Sequence, residues 1–195
     1  YATSRAYRDQ QRAARKKMNF MAPSEFTVMY CTAAEDPGLL VLPYHRVVKE
    51  THFASLDEIK SKMSPAFECK PLNGSSAESK DSAGIRVVLK EPQAQAVCLQ
   101  KQTPAPGRLD VEILHEDVFA RLGISADSGN ISFYHDEKTA LSQLKEDPAF
   151  HAAFLVSAVP VKDVMDRALR GQMMPQKSTY FYPKLLTGLV MRSYV

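Results

Sequence analysis

The sequence of 195 residues lacks an apolar run that approaches the ~20 residues needed to cross a bilayer. It also lacks the pattern of a secretory signal peptide, in which a basic start, an apolar centre and a small-residue cleavage site follow one another. The first absence excludes a membrane-spanning helix, and the second gives no indication of secretion. We therefore expect a cytoplasmic protein without a membrane partner.

Cysteine and histidine are too scattered to indicate a disulfide framework or a metal site. Cys31, Cys69 and Cys98 include no C-x-x-C pair, and an odd, widely spaced set is typical of reduced thiols in the cytoplasm. The five histidines show no H-x-x-x-H spacing. We predict that this chain holds no metal ion and, by itself, no cofactor.

What is present is the composition of an average globular protein, with 45% apolar and 24% charged residues. Residues 1–20 contain six basic residues and one acid, a net charge of +5, whereas the whole chain carries +3. A basic helix can bind phosphate groups or nucleic acid, or it can be a solvated face whose acidic partners lie in the missing upstream part. Because the basic stretch stops at residue 17, we favour the solvated face and do not expect nucleic acid as a partner.

The chain begins without an initiator methionine, inside a helix that is predicted for residues 3–18. We expect residues 1–21 to be a basic helix that continues from a missing upstream domain. Residues 22–195 are then expected to form a carboxyl-terminal α/β domain. Its expected partner is the upstream half of the same protein.

Short apolar runs and turn signals predict an α+β fold whose sheet is mixed, with an antiparallel first half. The strands predicted there are residues 26–33, 39–42, 67–72, 85–89 and 96–100, and the last two form a hairpin. Residues 35–38 predict a turn between the first two strands. Ser55 opens a helix with a capping box that Glu58 completes, and the polar residues 73–83 predict a mobile loop.

The second half alternates strands and helices, which predicts a βαβα-like unit. Strands are predicted at residues 131–135 and 152–158, and helices begin near Asp110, Asp136 and Pro160. Gly123 ends the first of these helices and Gly171 the last, because glycine tolerates the left-handed backbone that often follows a helix.

Residues 173–184, with the sequence MMPQKSTYFYPK, concentrate groups that can bind an anion. An overlapping stretch, Gly171 to Ser178, approximates the phosphate-binding motif G-x-x-x-x-G-K-[ST]. Gln176 replaces the second glycine of that motif, and a helix instead of a strand is predicted before it, so we reject the motif.

A looser hypothesis is that this segment neutralises and hydrogen-bonds a phosphate or a carboxylate of a small ligand. We predict Lys177 as the ligand-binding cation. The other candidates are Ser178, Thr179, Tyr180, Tyr182 and Lys184. The structural alternative is that residues 180–182 pack as a strand while the lysines face water.

His45 and Arg46 form a second candidate pair, directly after a predicted strand. An imidazole can transfer a proton and a guanidinium can bind an anion, but a surface loop is the structural alternative. His115 lies beside the apolar stripe of its helix, where a packed histidine is favoured over a catalytic one. If the candidates form one site, Lys177 should share a cleft with His45 and Arg46.

Four segments carry a resemblance to a known prokaryotic family. They are residues 1–9 (YATSRAYRD), 35–46 (EDPGLLVLPYHR), 114–116 (LHE) and 174–184 (MPQKSTYFYPK). Together they resemble the family named domain of unknown function 1015, over nearly the whole chain. The resemblance implies an upstream half that ends in a Gly-His-His-Arg-type motif. That motif is similar to one in the ParB and sulfiredoxin superfamily, which includes nucleotide-binding segregation proteins and free-serine kinases.

The resemblance and the candidate residues together suggest a phosphotransferase-like, kinase-like metabolic enzyme. In it, the Lys177 segment and the His45–Arg46 turn would close a phosphate site, and the nucleotide would be a ligand of the full-length protein. We expect this chain alone to be inactive. The alternatives are a non-catalytic scaffold or dimerisation domain and a ParB-like, nucleic-acid-associated regulator.

Overall fold

The computed structural model describes residues 2–14, 25–26, 28–49, 53, 55–72, 84–90, 95–102, 107–125 and 129–191. The chain divides into a sheet unit, Leu40–Tyr182, and a smaller unit that contains Tyr1–Leu39 and Pro183–Val195. The boundary expected after residue 21 and the loop predicted at residues 73–83 lie outside the described residues. Among the described helices, none combines the length and the apolar character that a bilayer crossing requires.

The smaller unit begins with helix α1, Ala2–Ala14, which is the described part of the predicted basic helix. Arg12 donates from Nε to both carboxylate oxygens of Glu25, at 3.1 Å each. Arg8 donates to Asp9, and the carboxylate of Asp9 also lies 3.8 Å from Arg5. Acids within the unit therefore partly neutralise the basic face, whereas its acidic partners had been expected in the missing upstream part.

The turn that follows in the smaller unit is confirmed, whereas the strand before it is wrong. Asp36 accepts hydrogen bonds from Leu39 N–H on its carbonyl and from Gly38 N–H on its carboxylate. Residues 26 and 28–33 form no strand and are exposed. Side chains with high β-propensity stabilise a strand only where they pack against a sheet, and these pack against none that is described.

The strands of the sheet unit form two sheets. They are β1 Leu40–Leu42, β2 His45–Val48, β3 Phe67–Leu72, β4 Ile85–Leu89, β5 Gln95–Lys101, β6 Ile131–Tyr134, β7 Ala152–Leu155 and β8 Tyr180–Tyr182. The strands β1 and β8 pair as a two-stranded antiparallel sheet. The other six lie side by side in the order β3-β5-β4-β7-β2-β6.

The helices of the sheet unit begin within one residue of the predicted positions. They are α2 Leu56–Met63, α3 Asp110–Leu122 (Asp110–Glu112, the π-helical Ile113–Phe119 and Ala120–Leu122), α4 Glu137–Glu146 and α5 Val161–Leu169. Ser55 Oγ accepts from the backbone N–H of Glu58 at 3.2 Å. The Asp136 carboxylate accepts from Thr139 N–H at 2.8 Å, and Gly123 ends α3 in the left-handed region with φ 73°.

The α+β class is confirmed, and so is the antiparallel hairpin of β4 and β5. The strand–helix alternation of the second half is also present, but β2 inserts between β6 and β7 and pairs antiparallel with both. As a result, β6 and β7 run parallel to each other without being hydrogen-bonded neighbours. The sheet therefore differs from the mixed sheet expected, because every described pair of strands is antiparallel.

The six-stranded sheet is covered on both faces, so its central strands are fully buried. Successive side chains of a strand point to opposite faces. Val48 and Phe154 join an apolar cluster with α2 and α3, whereas Val47 and Leu155 join a second cluster with α4. Strand β2 is therefore an inner strand of the sheet. Its first two residues lie beside the end of β6, shortly before α4 begins.

Candidate functional site

Strand β2 holds the first pair of predicted site residues inside the sheet. His45 is 3% exposed and Arg46 is fully buried. The surface-loop alternative for this pair is wrong, because β2 has β6 on one side and β7 on the other. A charged residue at such a position requires polar partners.

The Arg46 guanidinium finds those partners in backbone carbonyls. One Nη donates to the carbonyl of Tyr44, and the other donates to the carbonyl of Lys177 at 2.9 Å. The guanidinium carbon lies 5.5 Å from the ring centroid of Phe133. No described carboxylate pairs with Arg46, and Nε has no hydrogen-bond partner among the described residues. Burial lowers the pKa of Arg46 to about 10, which leaves it charged at neutral pH.

Lys177 stands at a strained turn above this buried charge. It is a non-glycine residue with a positive φ of 56°, in the left-handed region that side chains seldom adopt. Its Nζ lies 5.4 Å from the ring centroid of Tyr44. Lys177 is exposed and belongs to none of the ion pairs in the described part of the chain.

Three rings beside Lys177 form what we call the aromatic wall. Tyr44 meets Tyr180 edge to face, with ring centroids 5.6 Å apart. Tyr180 stacks on His135, with centroids 4.3 Å apart and planes inclined by 8°. The outer ring, His135, is exposed.

His135 also belongs to a cleft of about 410 Å³ at the end of the sheet. The polar side chains that line this cleft are His45, Arg86, His135, Asp136, Glu137 and Ser157. The lining does not include Lys177 or Arg46, so these two residues do not share this cleft with His45, contrary to the prediction. The aromatic wall and the cleft are therefore neighbouring surfaces that His135 joins.

An ion pair in the lining of the cleft links Arg86 in β4 to Glu137, the first residue of α4. The two guanidinium nitrogens donate to the two carboxylate oxygens at 2.7 and 2.5 Å. The Arg86 side chain is 9% exposed and that of Glu137 is 20% exposed. This two-pronged geometry neutralises both charges and fixes the start of α4 against the sheet.

His45 lines the same cleft as an uncharged imidazole. Its Nδ1 accepts a hydrogen bond from the backbone N–H of Val156 at 3.3 Å. Burial, followed by the positive charges of Arg86 and Arg46, lowers the pKa of His45 to about 4. Nearby, hydrogen bonds from the Thr139 side chain and backbone lower the pKa of Asp136, which stays ionised.

Comparison with known proteins identifies the family. The model of a family described as a protein of unknown function (DUF1015) matches residues 1–163. The chain belongs to this family. No curated protein is similar enough to count as a match.

The solved structures that resemble this chain are distant from it. A free serine kinase in complex with AMP is 15% identical, with a TM-score of 0.47, over 77% of this chain and 56% of that one. A mutant of free serine kinase in complex with ADP is 17% identical, with a TM-score of 0.48 and the same coverage. A conserved hypothetical protein from Pyrococcus furiosus is 15% identical, with a TM-score of 0.44, over 77% of this chain and 59% of that one. The chain thus spans less than three fifths of the length of these proteins.

The other residues predicted in the Lys177 segment are divided between several environments. Ser178 is buried, and its hydroxyl donates to the carbonyl of Pro175 at 2.5 Å, so it stabilises the turn. Thr179 is half-buried. Tyr182 is half exposed in β8, opposite Leu40. Residues 180–182 form a strand, as the structural alternative supposed.

Two further predictions concern residues that are not part of the cleft lining. Lys184 is exposed and belongs to the smaller unit. His115 packs inside α3, where its ring stacks on Phe119 with centroids 5.4 Å apart. That packing agrees with the interpretation of His115 as a structural histidine.

Arg86, Glu137 and Ser157 are cleft residues that the sequence predictions omitted. One signal was available: Arg86 is the only charged residue in the buried strand IRVVL. A buried arginine requires an acid or several carbonyls as partners, and such a requirement is typical of a functional edge or an internal ion pair. The identity of the acid that pairs with Arg86 depends on the pairing of β4 with β7. Local sequence patterns do not predict that pairing.

Proposed function

We propose that this chain contributes the binding site for a small phosphorylated ligand, such as a nucleotide, to a phosphotransferase-like metabolic enzyme. The observation that carries the proposal is the 2.9 Å hydrogen bond from Arg46 to the carbonyl of Lys177. It joins two segments that lie 131 residues apart in the chain and that each suit an anion.

Charge supports this assignment. Arg46 carries a buried positive charge that no described acid neutralises, and Lys177 places a second positive charge at the surface nearby. Two charges act over a longer range in a protein than in water, because the effective dielectric constant is lower. A dianionic phosphate would complement both, with Lys177 making the direct contact.

The aromatic wall and the cleft support a nucleotide-sized ligand. The exposed His135 ring, already stacked on Tyr180, offers a flat face on which a nucleobase can stack. The adjoining cleft of about 410 Å³ falls within the roughly 300–1,000 Å³ of typical small-molecule sites. The wall can accept a base on the His135 ring, and the cleft on the other side of His135 can accept a polar group.

The catalytic part of the proposal concerns the whole protein. We propose that an upstream half with the ParB- and sulfiredoxin-like motif supplies the remaining phosphate contacts in the cytoplasm. The role of this chain is then positioning and charge neutralisation, which are the main contributions of a protein to phosphoryl transfer. On this proposal the chain alone binds ligand weakly and catalyses nothing.

Calorimetric titration of the natural-length protein with ADP and with inorganic phosphate tests the proposal. Lys177→Ala should weaken binding about 10- to 150-fold, because a hydrogen bond to a charged group contributes roughly 1.5–3 kcal/mol. Lys145→Ala is the matched control, since Lys145 is an exposed lysine at the opposite end of α4 from the cleft. Equal affinities of wild type and Lys177→Ala for both probes would contradict the proposal.

A further inference from the structure

The end of β7 determines the orientation of the His45 ring. Strand β7 ends at Leu155, and the next backbone amide, that of Val156, donates to His45 Nδ1 instead of to a backbone carbonyl of β2. A nitrogen that accepts a hydrogen bond carries no proton. The neutral ring must then carry its proton on Nε2.

The charged groups around His45 oppose a second proton on the ring. Arg86 approaches from β4 and Arg46 from β2 itself, while His135, Asp136 and Glu137 approach from the start of α4. Burial and the two guanidinium groups disfavour an imidazolium, and only Asp136 favours one. Glu137 is already neutralised by Arg86.

We propose that His45 is a specificity-determining hydrogen-bond donor of the cleft, whose Nε2–H binds an oxygen atom of the ligand's phosphate or carboxylate. Nδ1 is occupied by Val156, and Nε2 has no hydrogen bond to a described residue, which leaves this atom to the cleft that His45 lines. The inference rests on the proposed function, because the ligand is the one proposed above. It replaces the proton-transfer role predicted for His45 from the sequence.

A fixed neutral donor selects ligands by their acceptor atoms. An imidazole that titrates near neutral pH accepts from hydroxyl groups as readily as it donates to oxygen anions. Here the amide of Val156 holds the ring in one tautomer, so the cleft presents a donor at every physiological pH. A ligand with a donor group at this position leaves two hydrogens opposed, and its affinity falls.

Nitrogen-15 NMR of the histidine side chains tests the tautomer directly. The His45 signals, identified by their loss in His45→Asn, should show a protonated Nε2, an unprotonated Nδ1 and no titration between pH 5 and pH 8. A proton on Nδ1, or a titration midpoint near the ordinary value of about 6.5, overturns the inference.

Two substitutions separate the donor from the structural contact. In His45→Asn the side-chain oxygen can still accept from Val156 N–H, but the donor to the cleft is lost. In His45→Gln the amide nitrogen reaches the position of Nε2 and can still donate, but Val156 N–H loses its acceptor. Inorganic phosphate should therefore bind His45→Asn at least about 10-fold more weakly than wild type. His45→Gln should bind phosphate within about threefold of wild type and should have the lower melting temperature of the two variants.

The outcomes distinguish this inference from the proposed function. If the phosphate affinities of the two variants fall in the same order as their melting temperatures, His45 is only structural and the inference is overturned. If Lys177→Ala weakens phosphate binding while His45→Asn does not, the inference fails and the proposed function stands. If His45→Asn weakens binding while Lys177→Ala does not, the donor role stands and the proposed role of Lys177 fails. No phosphate binding by the wild-type protein overturns both.

Discussion

The regions around Arg86 and Arg46 show two ways of holding a buried arginine in one sheet. Both residues lie on strands that flank β7, where Arg86 is opposite Leu155 and Arg46 is opposite Phe154. Around Arg86 the charge is cancelled by the carboxylate of Glu137. Around Arg46 only neutral carbonyls accept the hydrogen bonds, so the positive charge persists.

The difference separates a region that stabilises the fold from one that we propose to be part of a ligand site. A carboxylate–guanidinium pair has no net charge and acts locally, on the start of α4. An arginine held by carbonyls is less favourable for folding, since burial is not repaid by an opposite charge. What it adds is order in the Lys177 turn and a positive potential beside it, both of which an anionic ligand can use.

Removing the carboxylate of Glu137 from its ion pair with Arg86 should have the largest effect on stability. Glu137→Gln leaves Arg86 buried without an anion and should lower the free energy of unfolding by about 3–5 kcal/mol in urea denaturation. The control is the double variant Arg86→Met with Glu137→Leu, which should lie close to wild type because neither charge remains buried. A loss below about 1 kcal/mol for Glu137→Gln would make the pair no stronger than a surface salt bridge.

Acid should reveal the cost of charging His45, because burial and the positive charges of Arg86 and Arg46 disfavour its imidazolium form. The pKa of His45 is about 4 in the folded protein and about 6.5 in an unfolded chain, so the unfolded chain binds more protons between these values. The stability due to the neutral ring is complete above pH 6.5 and is lost as the pH falls toward 4. Between those limits wild type should lose about 3 kcal/mol more than His45→Asn in urea denaturation. Acids such as Asp136 and Asp117 titrate in both proteins and therefore affect both stability curves. Parallel curves of stability against pH for the two proteins would contradict the lowered pKa of His45.

The smallest effect on stability is expected from the backbone of Lys177, whose carbonyl accepts a hydrogen bond from Arg46. At a positive φ of 56°, glycine is free of the strain that a side chain causes. Lys177→Gly should be more stable than Lys177→Ala by about 1 kcal/mol, although both variants lack the ammonium and should bind phosphate equally weakly. Thermal unfolding measures the first difference and calorimetry the second. Equal stability of the two variants would mean that the turn relaxes when the lysine is removed.

The sequence predicted those features whose partners lie within one helical turn. The cap of Ser55 on Glu58 N–H, the cap of Asp136 on Thr139 and the left-handed stop at Gly123 each depend on residues one to four positions away. Such contacts form wherever the local backbone permits them. These elements were therefore predicted at nearly the observed positions.

The missing part of the prediction depends on contacts between distant segments. His45 and Arg46 looked like the end of a strand because their burial comes from β6 and β7, far along the chain. The contact between Arg46 and the Lys177 carbonyl nevertheless joins two residues that were selected from the sequence, since their residue types and crowding are visible without the fold. The cleft was missed because its polar groups come from β2, β4 and α4, and only the strand order brings these together.

The pairing of β1 with β8 has a consequence for the order of folding. Leu40 lies opposite Tyr182, so this small sheet closes a segment of about 140 residues, at an entropic cost of about 4 kcal/mol. Each strand contributes only three residues, whose pairing must offset that cost. We expect this sheet to form after the six-stranded sheet and to open before it, and Tyr180 leaves the aromatic wall when it opens. If the aromatic wall binds the ligand as proposed, the chain acquires its ligand site only after the six-stranded sheet has formed and loses it before that sheet unfolds.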